Sequence, residues 1–170
     1  VPDSNLLDLG ANFTISAWIK LNDLSNKAFS GIFGATDVNT NVATLGYYFM
    51  WYRDNIYGIN AKSLMLQFGK NAWAWNVYSS DTNSINDFNI HHVAVTVSSA
   101  NTNNPTVSFY IDGVLKNTTW WGSSTKAAIN YASDVSSVRV AHVFSPSNTS
   151  YYNINGSLNV YNLQVYKRTL

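Results

Sequence analysis

Apolar residues recur at every second position in run after run of this 170-residue chain. In FTISAWIK (13–20), Phe13, Ile15, Ala17 and Ile19 share one face, and Thr14, Ser16, Trp18 and Lys20 share the other. HVAVTV (92–97), VSFYI (107–111) and SVRVAHV (137–143) repeat the pattern. Successive side chains of a strand point to opposite sides, so this period predicts strands with one buried face. LGYYFMWY (45–52) is apolar at both parities, as a strand covered on both sides would be. Shorter candidates lie at 56–60, 64–69 and 73–78, and polar clusters at 23–26, 37–41, 81–86, 100–105 and 145–150 separate the runs as turns. No segment has a sustained helical period. Many short strands with polar turns predict an all-β chain, a two-sheet antiparallel β-sandwich or a barrel. Without repeat, linker or composition break, residues 1–170 read as a single domain.

Two details refine the pattern. Asp112-Gly113 stands between two short runs, a signal for a two-residue hairpin turn in which both central residues need φ > 0. If the strand after it continues regularly through Thr118 and Thr119, Trp120 joins the apolar face of Val107, Phe109, Ile111 and Val114. Trp121 then lies on the opposite face with Ser108, Asn117 and Thr119 and is the more exposed of the two. In the last run Leu158 and Val160 have one parity and Leu163 and Val165 the other, which predicts a bulge near Tyr161 and Asn162. The expected core includes Phe13, Ile15, Ile19, Val93, Val95, Val97, Phe109, Ile111, Val138 and Val140.

Composition narrows the partners. Charged residues make up 11% and the net charge is +1, with no basic run, so no nucleic-acid partner is expected. No apolar run approaches the roughly 18 residues of a membrane span, so no membrane insertion is expected. Cysteine is absent, which removes disulfides and thiolate chemistry. The chain does not begin with Met and reads as a processed or excised piece.

Four segments, in order, resemble the laminin G-like, concanavalin A-like lectin-glucanase jelly-roll family. NFTISAWIK (12–20) is similar to its "FTISAWVK" strand and HHVAVTV (91–97) to "WHHVAVTY". VSFYIDGVL (107–115) is similar to the "LYVDGKL" hairpin and NLQVYKRTL (162–170) to the closing "NVQIYNRAL". The resemblance implies a two-sheet antiparallel jelly roll. Departures are Ile90 where the family has Trp, Val140-Ala141 where it has a glycine, and Tyr161-Asn162 where an acidic residue is common. VPDS (1–4) is similar to a family segment that follows a first strand, which implies that this strand is missing or supplied by upstream chain.

All nine acidic residues are Asp, and Glu is absent. Glycoside hydrolysis needs two carboxyls at a controlled separation, one with a raised pKa. The glycosidases of similar architecture place paired Glu on one strand, so no catalytic residue and no enzyme is expected here. His91 and His92 point to opposite faces of a strand and cannot converge on one metal from this segment alone. One of them is expected to be buried and hydrogen-bonded. Asp37 with Asn39, Asp54 with Asn55, and Asp81 with Asn83 offer hard oxygens on loops, since several relatives bind calcium this way; Asx residues in loops are also ordinary turn formers. No cofactor is expected, with calcium at Asp37, Asn39, Asp81 and Asn83 as the alternative.

Aromatic side chains remain as candidates for contact. Trp73 and Trp75 share a face with Val77, a spacing that suits a sugar-stacking platform and equally an ordinary core face. Trp121 is the leading contact candidate, followed by Tyr151 and Tyr152 in a polar loop. Low charge with abundant Asn, Tyr and Trp suits neutral sugars, whose hydroxyls need uncharged partners and whose apolar faces need rings. The expected function is a non-catalytic, glycan-binding or adhesive recognition module of an extracellular, cell-surface or virion protein. The alternative is a structural domain that packs against neighbouring protein subunits in a capsid, fibre or adhesin.

Overall fold

The computed structural model describes residues 8–24, 29–36, 46–53, 60–71, 74–122, 126–129, 137–141 and 158–170. Eleven strands and no helix occur among them: β1 (Phe13–Leu21), β2 (Phe29–Thr36), β3 (Gly46–Tyr52), β4 (Ser63–Asn71), β5 (Ala74–Ser79), β6 (Ile90–Ser98), β7 (Thr106–Ile111), β8 (Val114–Lys116), β9 (Thr119–Gly122), β10 (Ser137–Val140) and β11 (Leu158–Tyr166). They form two antiparallel sheets, one of five strands in the order β11-β1-β6-β7-β8 and one of six in the order β10-β2-β3-β4-β5-β9. This is the two-sheet sandwich that the family resemblance implies, and one of the two architectures, sandwich or barrel, that the alternating pattern predicts.

The core lies between the sheets. From the five-stranded side come Phe13, Ile15, Ala17, Ile19, Val93, Val95, Val97, Phe109 and Ile111, all buried. Tyr47, Phe49, Trp51, Leu64, Leu66, Phe68 and Tyr78 meet them from the six-stranded side. Phe49 stacks on Phe109 across the interface at 6.4 Å between ring centroids. Both faces of β3 are buried, as its unbroken apolar run requires. The outer face of β1 is partly covered too: Thr14 Oγ1 donates to Arg168 O at 2.9 Å and accepts from Leu170 N at 3.2 Å, fastening the C-terminal residues over it.

The Asp112-Gly113 turn has φ 51° and 78°, and Ile111 pairs with Val114 across it, so the two-residue hairpin forms. The bulge also forms. Ser16 pairs with Gln164 but Trp18 with Tyr161, and Asn162 has φ 46°. Val160 before the slip and Leu163 and Val165 after it all pack against the core.

Three expectations are corrected. Val140 is 49% exposed, because β10 is a four-residue edge strand that the opposite sheet does not fully cover, whereas Val138, half-buried, does pack against the core. Val114 is 57% exposed for the same reason, since the three-residue β8 forms the other sheet's edge. The strand after the hairpin does not continue regularly. β8 ends at Lys116, and β9 begins at Thr119 in the other sheet, paired with β5. Asn117 and Thr118 therefore carry the chain from one sheet to the other.

Candidate functional site

That crossover places the two adjacent tryptophans. Both Asp81 carboxylate oxygens accept from Asn117, one from its backbone N and one from Nδ2, each at 3.1 Å, which pins the link where it leaves β8. Trp120 pairs with Tyr78 and packs against the core. Its Nε1 donates to Asn76 Oδ1 at 3.1 Å, and Lys126 Nζ lies 5.6 Å from the ring centroid. Asn76 is wholly buried and fully used: the same Oδ1 accepts from Ala127 N and its Nδ2 donates to Ala127 O. Such a buried amide is tolerable only because each of its polar atoms has a partner.

Trp121 has the opposite parity and lies on the outer face of the six-stranded sheet, half-buried, its Nε1 donating to Ser79 Oγ at 3.1 Å. Trp120 and Trp121 do take opposite sides, but both are half-buried, so the expected greater exposure of Trp121 is not seen, and the reason for the sides differs. Trp121 has Val77 and Ser79 beside it, not Ser108, because β9 belongs to the other sheet.

A single row crosses this outer face: Gly34, Tyr48, Gln67, Val77 and Trp121 are in register on β2, β3, β4, β5 and β9. Tyr48 and Val77 are buried, while Gln67 and Trp121 are half-buried. The Tyr48 ring lies against β2 so closely that a Cβ on Gly34 would stand 2.8 Å from Cδ1, so the glycine is what lets the ring lie there. Met50, Met65 and Ser79 form the next row, all buried. Among the described residues this face carries no carboxylate and no histidine. It offers an indole and a side-chain amide about 10 Å apart, two interstrand spacings. Such a surface can stack and hydrogen-bond an uncharged ring.

The remaining candidates separate. Trp75 belongs to β5 opposite Gly69 and has the parity of Val77. Trp73, Tyr151, Tyr152, Asp37, Asn39 and the pair Asp54 and Asn55 lie outside the described residues. Asp81 serves the crossover clasp, and Asn83 is a left-handed turn residue at φ 57° whose N donates to Ala61 O at 2.8 Å. Among the described residues no three His or Asp side chains are placed so that they could hold one metal ion. Sequence reasoning missed Tyr48, Gln67 and Ser79. Their signal was the non-core parity of β3, β4 and β5, but which strands neighbour one another is invisible in a one-dimensional pattern.

The two adjacent histidines do face apart. His91 is held between two carboxylates, with Nδ1 2.7 Å from Asp112 Oδ2 and Nε2 2.9 Å from Asp87 Oδ1. Partial burial works against its charge, but hydrogen bonds and attraction from Asp112 and Asp87 outweigh it and raise its pKa above the ordinary value. The hydrogen bond from His91, then that from the Asn89 backbone, lowers the Asp87 pKa. Burial opposes the charge of Asp112, yet bonds from His91 and from His92 N leave its pKa lowered. A glycosidase acid needs a raised pKa, and both carboxyls here are shifted the other way.

Comparison with known proteins gives the family. Residues 1–136 match the family model of the concanavalin A-like lectin/glucanases superfamily, laminin G type. No curated protein sequence matches the chain detectably. Among solved structures, the carbohydrate-binding module (CBM40) of the Ruminococcus gnavus IT-sialidase is similar at TM-score 0.63 and 13% identity, over 94% of this chain and 78% of that one. The binding domain of botulinum neurotoxin DC, solved in complex with SialylT, is similar at TM-score 0.59 and 15% identity, over 99% of this chain and 35% of that one. A Trypanosoma rangeli sialidase is similar at TM-score 0.51 and 15% identity, over 96% of this chain and 22% of that one. At these identities the structural likeness establishes the fold. With the family model matched over most of its length, the chain belongs to the concanavalin A-like lectin/glucanase superfamily.

Proposed function

We propose that the chain is a non-catalytic glycan-recognition module that binds saccharide on the outer face of the six-stranded sheet, with Trp121 as the stacking ring. The observation that carries this reading is the half-buried Trp121 indole, anchored through Ser79 on a face whose described residues include no carboxylate. A pyranose presents an apolar face to a ring and hydroxyls to neutral donors and acceptors, and Gln67 supplies an amide on the same row. The reading is supported by the names of two structural neighbours: one carbohydrate-binding module was solved bound to alpha2,3 sialyllactose, and the toxin binding domain in complex with SialylT. Asp87 and Asp112, both with lowered pKa values, do not supply the proton donor a glycosidase needs. The place of such a module is the outside of a cell or virion, where glycans are met. Among the described residues, no helix is long and apolar enough to cross a membrane.

A screen of uncharged glycans against the wild-type chain and Trp121→Ala tests the reading. Binding by the wild type and its loss in the variant, with the melting temperature little changed, is the expected result. Equal binding by both chains, or no binding by either, overturns it; concentration-dependent self-association lost in Trp121→Ala would instead assign the face to protein contact.

A further inference from the structure

The opposite sheet carries its own aromatic row on its outer face. Tyr161 on β11 pairs with Trp18 on β1, and Trp18 pairs with His92 on β6. The Trp18 and His92 rings are 5.2 Å apart at 58°. Unlike the row of Tyr48 and Val77, this one is open: Trp18 is 42% and Tyr161 45% exposed. Three rings in register span about 10 Å, two interstrand spacings.

Tyr161 reaches this face only because of the bulge. The strand residues Leu163 and Val165 point inward, and unbroken alternation would turn Tyr161 inward with them. The left-handed Asn162 shifts the register by one residue and re-aims Tyr161 beside Trp18.

Most of the rim is polar and, apart from Lys20, uncharged at the described strand positions; the exposed Ile90, opposite Lys20, is its apolar member. Asn159 Nδ2 donates to the Tyr161 hydroxyl, and Asn22 Nδ2 donates to Asn159 Oδ1, each at 3.1 Å. Ser16 Oγ lies 3.4 Å from His92 Nε2. The Trp18 indole N–H has no hydrogen-bond partner among the described residues. Lys20, two residues beyond Trp18 and opposite Asn159, is the one formally charged side chain at the described strand positions of this face, and it makes no ion pair among them. A protein interface of ordinary size needs about 800 Å² per partner, with an apolar centre. A short ring strip fringed by amides and hydroxyls, with one unpaired cation beside it, fits a smaller occupant.

We propose that Tyr161, Trp18 and His92 form a second saccharide-contact surface, on the five-stranded sheet, for a glycan bearing a carboxylate that pairs with Lys20. The proposal rests on the glycan-recognition reading but uses a separate face and different residues. Sugar rings lie on Trp18 and Tyr161, the free indole N–H donates to a hydroxyl, and Lys20 selects acidic over neutral sugars.

Indole N–H resonances in a two-dimensional NMR titration of the full chain read the two faces separately, once Trp18 and Trp121 are assigned through their Phe variants. With 3′-sialyllactose as probe, the Trp18 signal shifts, and lactose shifts it less. Tyr161→Ser weakens the Trp18 response roughly tenfold in Kd. Lys20→Gln removes the preference for sialyllactose over lactose, and Trp121→Ala leaves the Trp18 response unchanged. A Trp121 response with a silent Trp18 overturns this proposal and leaves the first reading standing. A Trp18 response with a silent Trp121 does the reverse. Trp18 broadening that grows with protein concentration and ignores sugar assigns the strip to a second copy of the chain and also overturns the proposal.

Discussion

Gly113 sits at φ 78° with open space where a Cβ would be, so strain alone, without collision, sets the cost of replacing it. Gly113→Val is expected to lower stability by on the order of 1 kcal/mol or more, read from thermal or chemical unfolding. Phe109 presents the contrasting case. It is wholly buried and stacked on Phe49, so Phe109→Ala leaves a cavity and is expected to cost roughly 3–5 kcal/mol. Trp120 and Trp121 differ by partner more than by exposure. Trp120 packs on the core and satisfies the buried Asn76, so its loss should cost about 2–3 kcal/mol, whereas Trp121→Ala should cost less. Denaturant titration of the two single variants checks the order; a larger loss for Trp121 would place it in the core.

Strands and their links carry the next set of consequences. β6 and the β7–β8 hairpin are tied by His91 between Asp87 and Asp112. The raised His91 pKa contributes stability that is fully present below its unfolded value, about 6.5, and is lost as pH rises through the folded pKa. The lowered Asp87 and Asp112 pKa values contribute stability present above about pH 4 and lost as pH falls through their folded values. Stability due to this cluster should therefore plateau between about pH 4 and 6.5. Both carboxylates are half-exposed, so screening keeps the effect small, a fall in Tm of about 2 °C or less between roughly pH 6 and pH 8. His91→Gln should flatten that slope, and an unchanged slope would rule the cluster out as its source. The β11 bulge gives a second check. Asn162→Gly should be nearly neutral, while Asn162→Val should cost about 1–2 kcal/mol because a β-branched residue resists left-handed backbone.

For the whole molecule, stability rests on the packing of two sheets. Calcium removal is expected to matter little. Asp81 already gives both oxygens to Asn117, and Asn83 is used as a turn residue, so EDTA should shift the melting temperature by no more than about 2 °C. A larger shift restored by calcium would point to the other loop aspartates. The relation between the sheets also explains the two aromatic rows. Each sheet has one face in the shared core, and every aromatic of opposite parity is left for the outer faces. On the six-stranded sheet those positions are mostly buried, and on the five-stranded sheet Trp18 and Tyr161 stay open.

Local patterns in the sequence determined the features that depend on neighbours along the chain. The inward faces of β1, β6 and β7 follow from period-two alternation, which backbone geometry makes binding on every strand. The hairpin follows from Asp112-Gly113, and the bulge at Asn162 follows from a parity conflict that only an inserted residue resolves. Tertiary structure alone decided which strands lie side by side. A two-residue link such as Asn117-Thr118 has the same local chemistry whether it continues a sheet or leaves it, so Trp121 found Ser79 and Val77 instead of Ser108. The same limit explains Val140 and Val114, since inward parity buries a side chain only where the opposite sheet reaches over it. The rows Tyr48–Gln67–Val77–Trp121 and Tyr161–Trp18–His92 are likewise products of strand order, because each gathers residues distant in sequence through hydrogen-bonded registers that no one-dimensional period encodes.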